Sequence, residues 1–224
     1  SHATRQELEE MLDNAYIPRF KGMYYNINDN SIWMSLWNHY RPDRPTPSSI
    51  NIMRKENSSY SLLKTIDDKG TTQIHTDVNV EPNKTYTYRI DRIDGGESPE
   101  YSIETKVFNV DPVSGSNVSK DGFTISMDLP AGIYRAYKNY SDTQIDHLKS
   151  GGNTISFSAT ECQQYFSNGT VNLKILGVFD SSFVTRDVIY YLTDPPTVTK
   201  VSGPNGEISE NSSTFSWTGS DPDG

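Results

Sequence analysis

Residues 80–90 read Val-Glu-Pro-Asn-Lys-Thr-Tyr-Thr-Tyr-Arg-Ile, and residues 95–102 follow as Gly-Gly-Glu-Ser-Pro-Glu-Tyr-Ser. An apolar residue, Pro82 and Thr85 lead into the alternating Tyr86, Tyr88 and Ile90, and a Gly/Ser turn takes the chain out again. That order identifies a strand whose first tyrosine packs inward and returns its hydroxyl to backbone a few residues upstream, the tyrosine corner of a β-sandwich. Tyr86 and Pro82 are therefore expected to be structural residues. The stretch decides an architecture and names no ligand.

Around it the apolar period is two. Residues 23–27, 32–37, 49–54, 60–66, part of 72–80, 86–93 and 101–108 read as short strands, with a turn-rich Arg-Pro-Asp-Arg-Pro-Thr-Pro stretch at 41–47. Strands at this spacing with turns between them argue a Greek-key sandwich. Residues 21–109 resemble a fibronectin type III domain. The matching elements are the second strand Ile32-Trp33-Met34-Ser35-Leu36-Trp37, the third strand Ile50-Asn51-Ile52-Met53-Arg54, the Tyr86 corner and the closing Gly96-Glu97-Ser98. Trp33 and Trp37 are expected as structural residues of that domain, although they alternate with Ile32, Met34 and Leu36, and only one set can face the core.

Residues 110–194 repeat the scheme more loosely. Phe123, Ile125, Met127 and Leu129 alternate as an inward-facing strand, residues 133–137, 155–158, 171–178 and 188–192 supply others, and 158–166 reads as a helical crossover. Residues 195–224 open after Asp-Pro-Pro and resemble the first two strands of a third sandwich, similar to those of bacterial multidomain surface and secreted proteins. Two strands bury no core, so the sequence predicts that residues 197–224 contact the second domain or another copy. The first three residues read as a tag remnant, and residues 5–20 as a helix with Leu8, Met11, Leu12 and Tyr16 on one face, expected to lie against the first sandwich in preference to a partner or a preceding domain. The expected fold is all-β: tandem immunoglobulin-like (fibronectin type III) β-sandwiches with a short N-terminal α-helix. The divisions are 1–20, 21–109, 110–194 and 195–224.

Composition narrows the function. A net charge of −9 in 224 residues, with no large Lys/Arg cluster, argues against nucleic acid. The longest apolar runs are strand length, far short of the roughly 20 residues that cross a bilayer. A single cysteine, Cys162, allows no internal disulfide and reads as an apolar filler. His2, His39, His75 and His147 show no metal-ligand spacing, and no phosphate-cradling glycine loop or GxSxG elbow occurs. No catalytic, cofactor or metal residue is expected. Asp221-Pro222-Asp223-Gly224 suggests a calcium loop less strongly than a plain turn.

Aromatic residues are what remains for recognition. Tyr134, Tyr137 and Tyr140, with Tyr24, Tyr25 and Tyr40 near the tryptophan strand, could present a stacking surface for sugar rings or a protein, though tyrosines also suit half-buried strands. Six Asn-x-Ser/Thr acceptors occur, at Asn57, Asn83, Asn117, Asn139, Asn168 and Asn211. These observations favour a noncatalytic modular protein of the cell surface or secreted space, acting as spacer and protein-binding scaffold, a reading with which a lipid anchor ahead of Arg5 is compatible. The alternative is a carbohydrate-recognition region of a larger secreted hydrolase; an enzyme in its own right ranks last.

Overall fold

The computed structural model describes residues 3–15, 18–37, 49–67, 73–93, 96–141, 144–180, 182–194, 197–202, 214 and 216–220. Seven strands fall where the period of two predicts them: β1 (Arg19–Asn26), β2 (Ser31–Trp37), β3 (Ser49–Glu56), β4 (Ser59–Asp67), β5 (Gln73–Asp77), β6 (Thr85–Arg92) and β7 (Tyr101–Glu104). They pair as β1-β2-β5 and as β4-β3-β6-β7, the two layers of a fibronectin type III sandwich. Phe20, Tyr25, Ile32, Met34 and Leu36 of one layer and Ile50, Ile52, Tyr88, Ile90 and Ile103 of the other are buried. Strand β2 therefore turns Ile32, Met34 and Leu36 to the core. Trp33, expected as a structural residue of the sandwich, points to the opposite face because successive side chains alternate across a strand. The Trp37 side chain lies outside the described residues.

The corner forms as its sequence predicts. The Glu81 N–H donates to the Tyr86 hydroxyl at 2.8 Å, and Asn83 takes a left-handed turn at φ 58°. Pro82 is an exposed member of that turn. Two residues on, the buried Tyr88 hydroxyl donates to Asp77 at 2.9 Å, and Asp77 also accepts from Arg54 at 2.9 Å. Burial and the Asp77 carboxylate both push the Tyr88 phenol far above its ordinary value.

Eight further strands follow: β8 (Val110–Asp111), β9 (Asn117–Ser119), β10 (Gly122–Met127), β11 (Ile133–Tyr140), β12 (Ile145–Gly151), β13 (Thr154–Ser158), β14 (Thr170–Phe179) and β15 (Ser182–Thr193). The β13-β10-β8 sheet faces β12-β11-β14-β15, with Ile125, Ile155, Phe157, Tyr134, Ile175 and Tyr190 buried between them. The crossing from β13 to β14 is a short helix, α2 (Ala159–Tyr165), numbered after the N-terminal helix α1 (Arg5–Ala15). Ser158 caps it: its hydroxyl accepts from the Glu161 N–H at 3.3 Å, while the Glu161 carboxylate accepts from the Ser158 N–H at 2.8 Å. This reciprocal box satisfies donors that a helix start leaves open.

The two sandwiches share a sheet. Strand β1 lies parallel to β15, with Tyr25 opposite Val184 and Asn26 opposite Thr185, and the Ile27 N–H donates to the Thr185 carbonyl at 2.9 Å. Where the ladder ends, the Asn28 side chain continues it. Its amide oxygen accepts from the Asp187 N–H at 2.7 Å, and its amide nitrogen donates to the Asp187 carbonyl at 3.1 Å. The Glu104 N–H adds a bond to the Ser182 hydroxyl at 2.8 Å. Farther along β15, β9 pairs with Tyr191, Leu192 and Thr193. The product is one eight-stranded sheet, whose main path runs β12-β11-β14-β15-β1-β2-β5. Paired residues share a face, and Tyr25 and Val184 are both buried. Both smaller sheets thus cover the same side of the long sheet, and among the described residues no element packs on its other, open side.

Two expectations about the chain ends are corrected. Helix α1 (Arg5–Ala15) is shorter than residues 5–20, because Pro18 cannot continue a helix and restricts the residue before it. Among the described residues α1 packs against no other element, and Leu8 and Met11 are exposed. Thr4 and Glu7 hold its first turn through a second capping box. Among the described residues, strands β16 (Thr197–Ser202) and β17 (Ser216–Ser220) pair only with each other. Val198, Val201 and Trp217 are exposed, so the predicted contact of residues 197–224 with the second sandwich is absent among the described residues. A two-stranded ribbon has one apolar face and no second layer of its own to cover it.

Candidate functional site

The open face of the long sheet carries the site. The antiparallel register of β1 and β2 sets Tyr24 directly opposite Trp33, so both side chains leave the sheet together. Their rings stack with centroids 4.9 Å apart and planes 20° from parallel. Gly22, two residues before Tyr24, presents no side chain, and a Cβ there would stand 3.9 Å from the Trp33 ring, in ordinary contact. From the second sandwich, Tyr140 at the end of β11 meets Tyr24 edge-on at 5.7 Å. These two tyrosines are 116 positions apart in the chain and are neighbours because β1 joins β15.

Behind Tyr140 lie Tyr137, at 4.8 Å, and then His147, whose ring is 5.3 Å from that of Tyr137. Bulges in β11 on either side of Tyr137 break the strict alternation of the strand. Along β14 the inward positions are Val171, Leu173, Ile175, Gly177 and Phe179, yet outward Leu176 is buried as well, and so is its partner Thr185. Tyr137 and Leu176 stand apart from the main core although both are buried. The open face thus holds a small hydrophobic cluster of its own at the junction of the sandwiches.

Over this cluster opens a cleft of about 600 Å³, lined by Tyr24, Trp33, Tyr140, Gly22 and the exposed Ile74 and Ile145. Tyr140 and Ser141 also line a neighbouring depression of about 500 Å³, whose walls include Asn28, Asn139, Gln144, Asn172, Lys174 and Asp187. One compartment is mainly aromatic and aliphatic, with Lys21 and Ser35 also in its wall, and the other is rich in amides and carries Lys138 and Lys174. Burial raises the Tyr140 phenol above its ordinary value, and neighbouring Tyr137 adds to the shift, so Tyr140 serves as a neutral hydrogen-bonding group.

Of the expected stacking surface, Tyr140 and Tyr24 take part and three other tyrosines do not. Tyr134 is fully buried in the second core, its hydroxyl donating to the Leu129 carbonyl at 2.6 Å. Tyr137 is buried beneath Tyr140, and Tyr25 is buried with its hydroxyl on Asn30 at 2.6 Å. The run Tyr134, Tyr137, Tyr140 has a spacing of three, which on a strand sends successive members to opposite faces; the bulges then decide the rest. Tyr40 lies outside the described residues. Trp33 joins the site instead, and Ile74, Ile145 and Gly22 carry no sequence signal that could have placed them there.

No constellation for bond-making chemistry appears among the described residues. No three His, Cys, Asp or Glu side chains are placed to hold a metal ion. Cys162 is buried in α2, and burial raises its thiol, the opposite of an activated nucleophile. His75 faces inward opposite Met34, and burial lowers its imidazole value. His147 sits on β12 with Nε2 2.8 Å from the Ser150 hydroxyl. Asp221 and Asp223, the calcium suggestion, lie outside the described residues, as do His2 and His39. Asn57, Asn83, Asn117, Asn139 and Asn168 are exposed, and Asn211 lies outside the described residues. No described helix is long and apolar enough to cross a membrane.

No protein-family model matches the chain, and no curated protein does. Among solved structures, the fibronectin domains FN1–FN3 of chicken CNTN1 match with a TM-score of 0.34 at 11% identity, over 77% of this chain and 66% of that one. The strand order above is that of two immunoglobulin-like β-sandwiches joined through one sheet.

Proposed function

We propose that the protein is a noncatalytic extracellular binding and spacing module, of the kind carried by bacterial surface and secreted multidomain proteins. Its sandwiches occupy residues 21–109 and 110–194. The observation that carries the reading is the parallel pairing of β1 with β15. A flexible linker would let two modules swing, whereas a shared ladder fixes their angle. The fixed angle creates the cleft between Tyr24 and Tyr140, and that cleft is the contact surface for a partner. The protein-binding scaffold expected from sequence and a carbohydrate-recognition region both use such a surface. The buried, raised Cys162 thiol and the scattered histidines support a role without catalysis.

The test is ¹⁵N relaxation of the chain in solution. Both sandwiches are expected to report one rotational correlation time. Ile27→Pro removes the N–H that bonds Thr185 and should separate the two values. Unequal correlation times in the unaltered protein would overturn the proposal.

A further inference from the structure

We infer that the aromatic compartment on the open face binds a small apolar carboxylate, with its hydrocarbon part against Trp33 and Tyr140 and its charge beside Lys21. This deepens the reading of that face as the contact surface and rests on it. A bulge in β1 puts the cation there. Phe20 pairs with Leu36 and Gly22 with Ser35, so Lys21 is the extra residue between them. Strict alternation would turn one of Lys21 and Gly22 into the core; the bulge sets both opposite Ser35, and both line the cleft. Beside the cation the floor is bare. Gly22 faces Ser35 and Ser35 faces Ile74 across the ladders, a row with no large side chain before the exposed Ile74. Tyr24 and Trp33 form the adjoining row and raise one wall, and Tyr140 and Ile145 come from the second sandwich. Apolar walls with a few placed polar groups are the usual make-up of a small-ligand site.

Charge selects this occupant. Among the described residues Lys21 is the one charged side chain in the lining of the aromatic compartment, it is exposed, and no carboxylate stands beside it there. A ligand carboxylate gains a charge-assisted partner at that point. Aromatic faces alone would also suit a quaternary ammonium, but Lys21 repels one. A glycan finds little in the neighbouring compartment, because the Asn139 and Gln144 amides already donate to Asp146 at 2.6 and 2.9 Å. An extended peptide gains its main-chain bonds at a sheet edge. The row from Gly22 to Ile74 runs across the strands, so a peptide added along β5 would cross the end of the cleft without filling it.

Titration with octanoate and with naphthoate, followed by the indole N–H signal of Trp33 in NMR spectra, tests the inference; octanol, naphthylmethanol and octyltrimethylammonium are the references. At least one acid is expected to shift the signal at low-millimolar concentration and to bind at least tenfold more tightly than the alcohol of the same skeleton. Which acid does so separates an aliphatic ligand from an aromatic one. Lys21→Gln should erase the advantage of the acid over its alcohol. Gly22→Gln should abolish binding of both: its backbone lies outside the left-handed region, its Cβ has room, and the longer side chain fills the compartment. Trp217→Ala, on the β16–β17 hairpin, should leave binding unchanged. If Gly22→Gln does not fold, Lys21→Gln decides. No shift by either acid, an alcohol or the ammonium bound as tightly as the acid, or a Lys21→Gln variant that keeps the preference would overturn the inference. Such a failure with a single correlation time for both sandwiches removes only this inference. Unequal correlation times remove the fixed cleft and the binding module with it.

Discussion

Where the first sandwich carries its chain from β5 to β6, it uses one residue, Tyr86, whose hydroxyl receives the Glu81 N–H at 2.8 Å. The second sandwich makes the equivalent crossing from β13 to β14 with helix α2, held by the Ser158–Glu161 box and by Lys149, whose ammonium reaches Glu161 at 2.7 Å. Both devices satisfy backbone donors at a point where the chain changes sheets. They differ in reach: a corner is complete within six residues, whereas the helix brings Cys162 and Phe166 into the core. Neither device joins the sandwiches. That is left to β15, which runs twelve residues and borders β1 near its start and β9 near its end.

The largest expected effect tests whether that join makes the sandwiches fold together. Phe157→Ala empties a core position in the second sandwich and should cost about 3–5 kcal/mol. If β15 couples the two, calorimetry will show one transition moved to lower temperature. Two transitions, with only one of them shifted, would break the comparison at its centre. Next comes the seam itself: Asn28→Ala removes both bonds to Asp187 and should cost roughly 1–2 kcal/mol. Faster hydrogen exchange at the Asp187 amide would mark that loss as local to the seam.

The two crossing devices should then prove nearly equal. Tyr86→Phe deletes only the corner hydrogen bond, and Ser158→Ala deletes the helix cap; each should cost about 1 kcal/mol in urea unfolding. A large inequality would show that one crossing matters more than the other. The smallest effect is a pH dependence confined to the second sandwich. The Lys149 ammonium, and then the Ser158 N–H, hold the Glu161 carboxyl below the ordinary range. Its stabilisation is therefore complete above the unfolded value of about 4.3 and is lost as the pH falls through the lower folded value. The melting-temperature gap between the parent and Glu161→Gln should narrow below about pH 4. A gap that stays constant from pH 7 to pH 3 would remove the role assigned to Glu161.

How much could be read in advance depended on whether the signal was local. The first seven strands were legible because Tyr86, Tyr88 and Ile90, or Ile50 and Ile52, alternate between turn residues. Helix α2 was legible as a crossover. Strand β12 was not, since Ile145-Asp146-His147-Leu148 is an edge with sparse apolar residues and bulged pairing. The first half of β15 escaped too, because Arg186 and Asp187 interrupt its apolar run. At the site, Tyr140 and Tyr24 were among the candidates. Tyr134 and Tyr137 could not be separated from them, because one-sided burial of a strand depends on which sheet covers it.

The sequence by itself determined the sandwich architecture, the Tyr86 corner, the helical crossing and the scarcity of catalytic groups, all of which arise from neighbours within about ten positions. Tertiary structure alone decided that Ile32, Met34 and Leu36, rather than Trp33, face the core, that β1 and β15 share a ladder, and that Trp33, Tyr24 and Tyr140 stand around one cleft. The physical reason is that backbone hydrogen bonds between strands carry no side-chain code. Tyr25 can pair with Val184 across 159 positions without either residue announcing it, and every contact on the open face follows from that pairing.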